Sequence, residues 1–119
     1  MMVIIFMYKL LKTLKNYRNQ TLSFHDDQII SNDTNKRIMM SWEAPLMKKS
    51  AEYICENGGD ILELGFGMGI CADYIQSQDI KSHTIVEIHP QIIEKLNEWA
   101  KDKSNVIVIE GDWFTAPLA

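Results

Sequence analysis

The sequence predicts an α/β domain, the opening half of a doubly wound fold built on a parallel sheet. Two observations predict it. From Asp60 onward, apolar runs of strand length alternate with runs whose apolar residues repeat at the helical period, in the order β-α-β-α-β with short connections. The first of those strands, "DILELG", passes directly into a loop with glycines at alternate positions, Gly65, Gly67 and Gly69, and then into a helix. This order implies right-handed crossovers and a ligand edge at the carboxyl ends of the strands.

Taken in order, Val3, Phe6, Met7, Leu10, Leu11 and Leu14 recur at helical spacing, with Lys9, Lys12, Lys15 and Arg18 largely on other faces. That predicts a helix from Val3 to Leu14 packing onto the domain. Its apolar stretch is broken by lysines well short of the ~20 residues of a membrane span, and it is apolar before it is basic, the reverse of a secretory signal. A cytoplasmic location without membrane contact is expected. Gln20 to Arg37 is polar and predicts a loop. The chain therefore divides into residues 1–37, a helix and polar loop, and residues 38–119, the N-terminal half of the sheet domain.

Next, Ser41 as a cap, Pro45 in a first turn, and Leu46, Met47, Ser50, Ala51 and Ile54 on one side predict a helix from Glu43 to Asn57. Gly58 and Gly59 stop it. After the glycine loop, "ICADYIQS" suits a helix, and "HTIVEI" is a strand rich in β-branched residues. Pro90 opens a further helix, with Ile92, Ile93, Leu96, Trp99 and Ala100 at the helical period. "NVIVIEG" lacks alternation, as expected of a strand covered on both faces.

With 119 residues and 46% hydrophobic content, the chain suits one core. A net charge of −4 gives no overall attraction to nucleic acid, which is not expected as a partner. Cys55 and Cys71 lack metal-site spacing and read as reduced core thiols, and His25, His83 and His89 form no ligand pair, so no metal is expected.

The loop pattern is G-x-G-x-G, with Ile70 where a dinucleotide-binding loop has its third glycine, and no Lys-Ser or Lys-Thr pair follows. A nicotinamide dinucleotide and a P-loop phosphate are both disfavoured. Glu87 ends the next strand, where a carboxylate, acceptor-only, can take both hydroxyls of a ribose diol. Glu63 could accept from a ligand ammonium or support the loop, and Asp112, after the third strand, could meet an adenine amino group. A ribose, a cationic centre and no phosphate together match S-adenosylmethionine.

"IMMSWEAPLM", "GGDILELGFGMGI", "HTIVEIHP" and "VIEGDW" together resemble the guanidinoacetate N-methyltransferases and the related arginine delta-N-methyltransferases, from about Ile38 to Trp113. The resemblance implies a Rossmann-like class I methyltransferase fold, truncated to roughly its first three parallel strands plus N-terminal helices. It also implies S-adenosyl-L-methionine as cofactor. It assigns Met39 and Met47 to cofactor packing, the loop Gly65, Phe66, Gly67, Met68, Gly69 and Ile70 to the methionine part, and Glu87 to the ribose. Ile88 and His89 fall beside the adenine, and Gly111 and Asp112 at the base. Glu43, of the "WE" pair, becomes the residue holding a substrate guanidinium, on a small molecule or an arginine; read without the resemblance, it is a first-turn glutamate facing the helix dipole. The family's second acidic substrate residue follows a fourth strand, and this sequence ends soon after the third. No catalytic residue is therefore assigned here. The expected function is the cofactor-binding portion of an N-methyltransferase, with a non-catalytic binding module as the alternative. Without a fourth strand, "DILELG" is expected to be an open edge, inviting self-association.

Overall fold

The structure, a computed structural model, describes residues 2–5, 18–33 and 37–112. Among them are seven strands, β1 (Met2–Ile5), β2 (Leu22–Phe24), β3 (Gln28–Ser31), β4 (Arg37–Met40), β5 (Asp60–Leu64), β6 (Ser82–Glu87) and β7 (Val106–Glu110). The helices are α1 (Ala44–Ile54), α2 (Ile70–Gln76) and α3 (Pro90–Ala100), with a 3-10 turn at Ser41–Glu43 ahead of α1. The predicted β-α-β-α-β order is present as β5, α2, β6, α3 and β7, in a parallel sheet ordered β1-β5-β6-β7.

Both crossovers step in the same direction across the sheet, which places their helices on one face. Ile61 and Ile85 meet Met47, Ala51 and Ile54 of α1, Cys71, Ala72 and Ile75 of α2, and Ile92 and Leu96 of α3 in a single core. Full burial of side chains such as Met47, Ile75 and Leu96 contributes roughly 1.5–3 kcal/mol each. Leu62, Leu64 and Val86 form a second cluster on the opposite face. Cys55 and Cys71 are free thiols in the core, and burial raises the pKa of each.

Five expectations are corrected. Met2–Ile5 is a strand, not the start of a helix, and it pairs in parallel with β5 from Met2 opposite Ile61 to Ile5 opposite Leu64. The rest of the predicted helix lies outside the described residues. The β5 edge is therefore paired, which removes the premise for self-association through it. The polar stretch from Gln20 to Arg37 is no plain loop, since β2, β3 and β4 form an antiparallel sheet. Its apolar Leu22 and Ile29 enter the core, and that burial outweighs the turn-like composition around them. In α1, which is shorter than predicted, Leu46 is exposed, and Ser41 begins the 3-10 turn with no side-chain cap. Finally β7 is half-buried among the described residues, with Ile107 exposed because it lies on the face turned away from the three helices.

The helix-covered face also carries a buried polar inlay. Glu63 and His83 are fully buried, His83 Nε2 lies 2.9 Å from Glu63 Oε1, and its Nδ1 lies 3.0 Å from the Gln76 side-chain amide nitrogen. One neutral tautomer serves both contacts, with Nε2–H donating to the carboxylate and Nδ1 accepting from the amide. Glu63 Oε2 has no hydrogen-bond partner of good geometry. Burial is the main cause that pushes the Glu63 carboxyl above its usual range, and the His83 contact only partly opposes it. A raised folded-state value means stability that is complete at acid pH below the ordinary carboxyl range and declines as pH rises through the folded value. Glu63→Gln removes that charge while keeping the His83 contact. Denaturant melts at pH 4.5 and pH 8 should show the variant gaining on the parent as pH rises; a gap that stays constant between the two would show that Glu63 is not ionised at a cost.

Candidate functional site

Gly65, Gly67 and Gly69 adopt φ of +92°, +60° and +78°, a region that L residues rarely enter. At Gly69 the reason is doubled, since an added Cβ would stand 2.8 Å from the Phe66 ring. The loop thus folds over its own phenylalanine. Gly65 N–H donates to the Val86 carbonyl at 2.7 Å, and Gly69 N–H closes a turn on the Phe66 carbonyl at 3.0 Å. The Phe66 ring packs against Trp99, with centroids 5.2 Å apart, and the Trp99 indole N–H donates to Asp73 at 2.8 Å. Loop, α2 and α3 are locked together by that contact.

Glu87 stands at the carboxyl end of β6, one strand over from the loop. Its Oε1 accepts the Phe66 N–H at 2.8 Å, and its Oε2 accepts the N–H groups of Ile88 at 2.9 Å and His89 at 3.0 Å. Burial pushes its carboxyl up, while the backbone donors of His89, Phe66, Ile88 and Gly67 pull against that rise. On the other side, Gly111 N–H donates to the Glu87 carbonyl at 2.9 Å, which sets Gly111 and Asp112 beside it. The ends of three successive strands meet here.

The structure therefore brings together Gly65 to Ile70, Glu87, Ile88, His89, Gly111 and Asp112. Met47 is buried in the core and Met68 packs against it, while Met39 lies in β4 opposite Ile29. Two expected residues already have partners within the protein. Glu63 is turned into the core toward His83, so it supports the sheet beneath the loop and is not presented at its surface. Glu43 Oε2 accepts the Met40 N–H at 3.2 Å, a contact at the start of the 3-10 turn.

A cavity of about 800 Å³ opens beside the loop. Phe66, Gly67 and Met68 line one side, Phe24, His25 and Ile29 of the N-terminal sheet another, and α3 the third, through Gln91, Trp99 and neighbours. Sequence reasoning missed this wall, because it placed Phe24 and Ile29 in a loop. The alternation of Leu22, Phe24 and Ile29 around "HDD" was the available signal, weakened by the absence of a glycine in the turn. Among the described residues, no group of three or more His, Cys, Asp or Glu could hold a metal, and no helix is long and apolar enough to cross a membrane.

Comparison with known proteins places this arrangement. The guanidinoacetate N-methyltransferase family profile matches residues 12–116. Proteins named protein arginine N-methyltransferase 2 are similar to the chain: that of Kluyveromyces lactis is 33% identical over 103 residues, covering 82% of this chain and 25% of the relative. That of Candida glabrata is 35% identical over 102 residues, with 82% and 25% covered, and that of Emericella nidulans 36% over 104, with 85% and 24%. The chain spans about a quarter of the length of these relatives. With the profile running through the glycine loop and the strand ends that flank it, the chain belongs to the guanidinoacetate N-methyltransferase family.

Proposed function

We propose that this chain is the cofactor-binding portion of an S-adenosylmethionine-dependent N-methyltransferase acting on a guanidino nitrogen, of an arginine or a small molecule. The observation that carries the proposal is the row of strand ends: a positive-φ glycine loop hung on Glu87, with Gly111 and Asp112 next to it. The donor set fits the group. Glycines leave the loop backbone open to close approach, Phe66 and Met68 are apolar, and no P-loop lysine follows. Glu87 is a buried carboxylate with roughly four lone-pair positions, and the amides of Phe66, Ile88 and His89 occupy three, which leaves room for no more than one ribose hydroxyl. When bound, S-adenosylmethionine supplies an electrophilic methyl group for in-line displacement.

The chain's own part is orientation and water exclusion. Gly65 to Ile70 hold the amino-acid end, Ile88 and His89 flank the adenine, Asp112 accepts from its amino group, and Met39 and Met47 pack the pocket. Glu43 holds the guanidinium through charge-assisted hydrogen bonds, which fix the nitrogen in attack geometry. The second reading, a module that binds without turnover, has one observation in its favour: Glu43 already serves the start of its own helix.

Calorimetry should show that the chain binds S-adenosylhomocysteine in preference to NAD. Because Glu87 also organises the loop, the ribose contact is best tested from the ligand side. Removing the ribose 2′-hydroxyl should weaken binding by about 1–3 kcal/mol, the cost of leaving a buried partner unpaired. NAD binding without response to the sulfur nucleoside would end the cofactor reading, and equal affinity for the deoxy ligand would take the ribose from Glu87.

For Glu43, a chain loaded with S-adenosylhomocysteine should bind guanidinoacetate or an arginine peptide, and Glu43→Gln should weaken that binding by at least about tenfold, as loss of charge-assisted bonds predicts. Affinity for S-adenosylhomocysteine should stay the same. Undiminished guanidino binding by the variant would leave Glu43 a helix-start residue.

A further inference from the structure

The residues just past Glu87 do something that neither the glycine loop nor the substrate carboxylate requires. His89 is buried, and its Nε2–H donates to the Gln20 carbonyl at 2.6 Å while its Nδ1 accepts the Gln91 N–H at 3.1 Å. A carbonyl can only accept and an amide N–H only donate, so a single neutral tautomer satisfies both. Gln91 then completes the contact. Its side-chain Oε1 accepts the Leu22 N–H at 2.6 Å, and its Nε2 donates to the Leu22 carbonyl at 3.1 Å. One side-chain amide thus pairs with the backbone of β2 on both its donor and its acceptor, as a neighbouring strand would.

This clamp has two neighbours. On one side, the His89 backbone N–H is a donor to the Glu87 carboxylate. On the other, the strand that Gln91 grips leads into Phe24 and, across the hairpin, to Ile29, which wall the cavity beside Gly67 and Met68. The short segment from Glu87 to Gln91 therefore serves the cofactor carboxylate with its main chain and the N-terminal sheet with its side chains. A displacement of either is felt by the other through the same backbone.

We infer that Gln91, together with His89, is a positioning residue that latches the N-terminal β2-β3-β4 sheet against the carboxyl end of β6, so that docking of this sheet and ligand binding at Glu87 favour each other. The inference rests on the cofactor reading above. Coupling of this kind is reciprocal: if the latched sheet tightens ligand binding, the ligand must protect the latched sheet by the same factor.

The test combines amide hydrogen exchange with calorimetry on the full chain, using S-adenosylhomocysteine as the probe. In the parent, adding it should slow exchange at Leu22, whose N–H is held by Gln91. Gln91→Ala should speed exchange at that amide about tenfold or more without changing β5 or β6, weaken S-adenosylhomocysteine by a similar factor, and abolish the ligand-dependent slowing. Gln91→Glu keeps an acceptor for Leu22 N–H but replaces the donor by an oxygen that repels the Leu22 carbonyl, so it should not restore the parent's protection. A variant with a loosened hairpin but unchanged affinity would overturn the coupling and leave a purely structural contact. Unchanged exchange at Leu22 would overturn the latch itself. A parent chain that binds no S-adenosylhomocysteine would overturn the cofactor reading and the coupling with it, an outcome told apart by its appearing before any substitution is made.

Discussion

The carboxylate of Glu87 is the constraint on which the carboxyl edge of the sheet depends. It takes the N–H of Phe66 from the loop after β5 and those of Ile88 and His89 from its own strand end, so one buried side chain ties two strand exits together. Without it, those amides would be buried donors with no partner, each costing about 1–3 kcal/mol. The glycine loop, for its part, adopts backbone angles that only glycine enters at little cost, which brings its amides within reach. Loop conformation and carboxylate position are two halves of one arrangement.

Beneath that edge lies a second layer of polar chemistry, fully buried at Glu63 and His83. The Gln76, His83 and Glu63 chain runs from α2 to β6 to β5, and the His83 ring meets the edge of Trp99, centroids 6.1 Å apart. Trp99 in turn packs on Phe66 and is covered by the Lys103 ammonium, 4.3 Å from its ring centre. A buried polar network with its members satisfied rigidifies the elements it joins. Here the network joins the strands and helices that hold the loop and is satisfied only in part, since Glu63 Oε2 has no hydrogen bond of good geometry.

The antiparallel sheet gives the site its outer wall. Its two short strand pairings bury little by themselves, and Leu22 and Ile29 contribute to the core only because the sheet is held across α3. The Lys95 ammonium over the Phe24 ring, 4.4 Å from its centre, adds a contact from the same helix. Gln91 and Lys95 of α3 thus hold β2 from one side, while Leu22 and Ile29 anchor the sheet in the core.

Periodicity, glycine spacing and Pro90 were enough to determine the β-α-β-α-β order, the parallel sheet and the row of residues at its carboxyl edge. These are local properties: a strand or helix records its exposed and buried faces in adjacent residues, and Gly69 is demanded by a turn only a few residues long. The tertiary structure decided what depends on partners distant in sequence. Met2–Ile5 carries no pattern that distinguishes a strand beside β5 from a first helical turn, since the deciding factor is an edge more than fifty residues away. The direction of Glu63 followed from a histidine on the next strand, and the place of Leu22 from Gln91, a glutamine that its own sequence surroundings mark as an ordinary helix position. Hydrogen bonds between such separated groups leave no periodic trace in the chain, because their geometry exists only once the core has brought the two ends together.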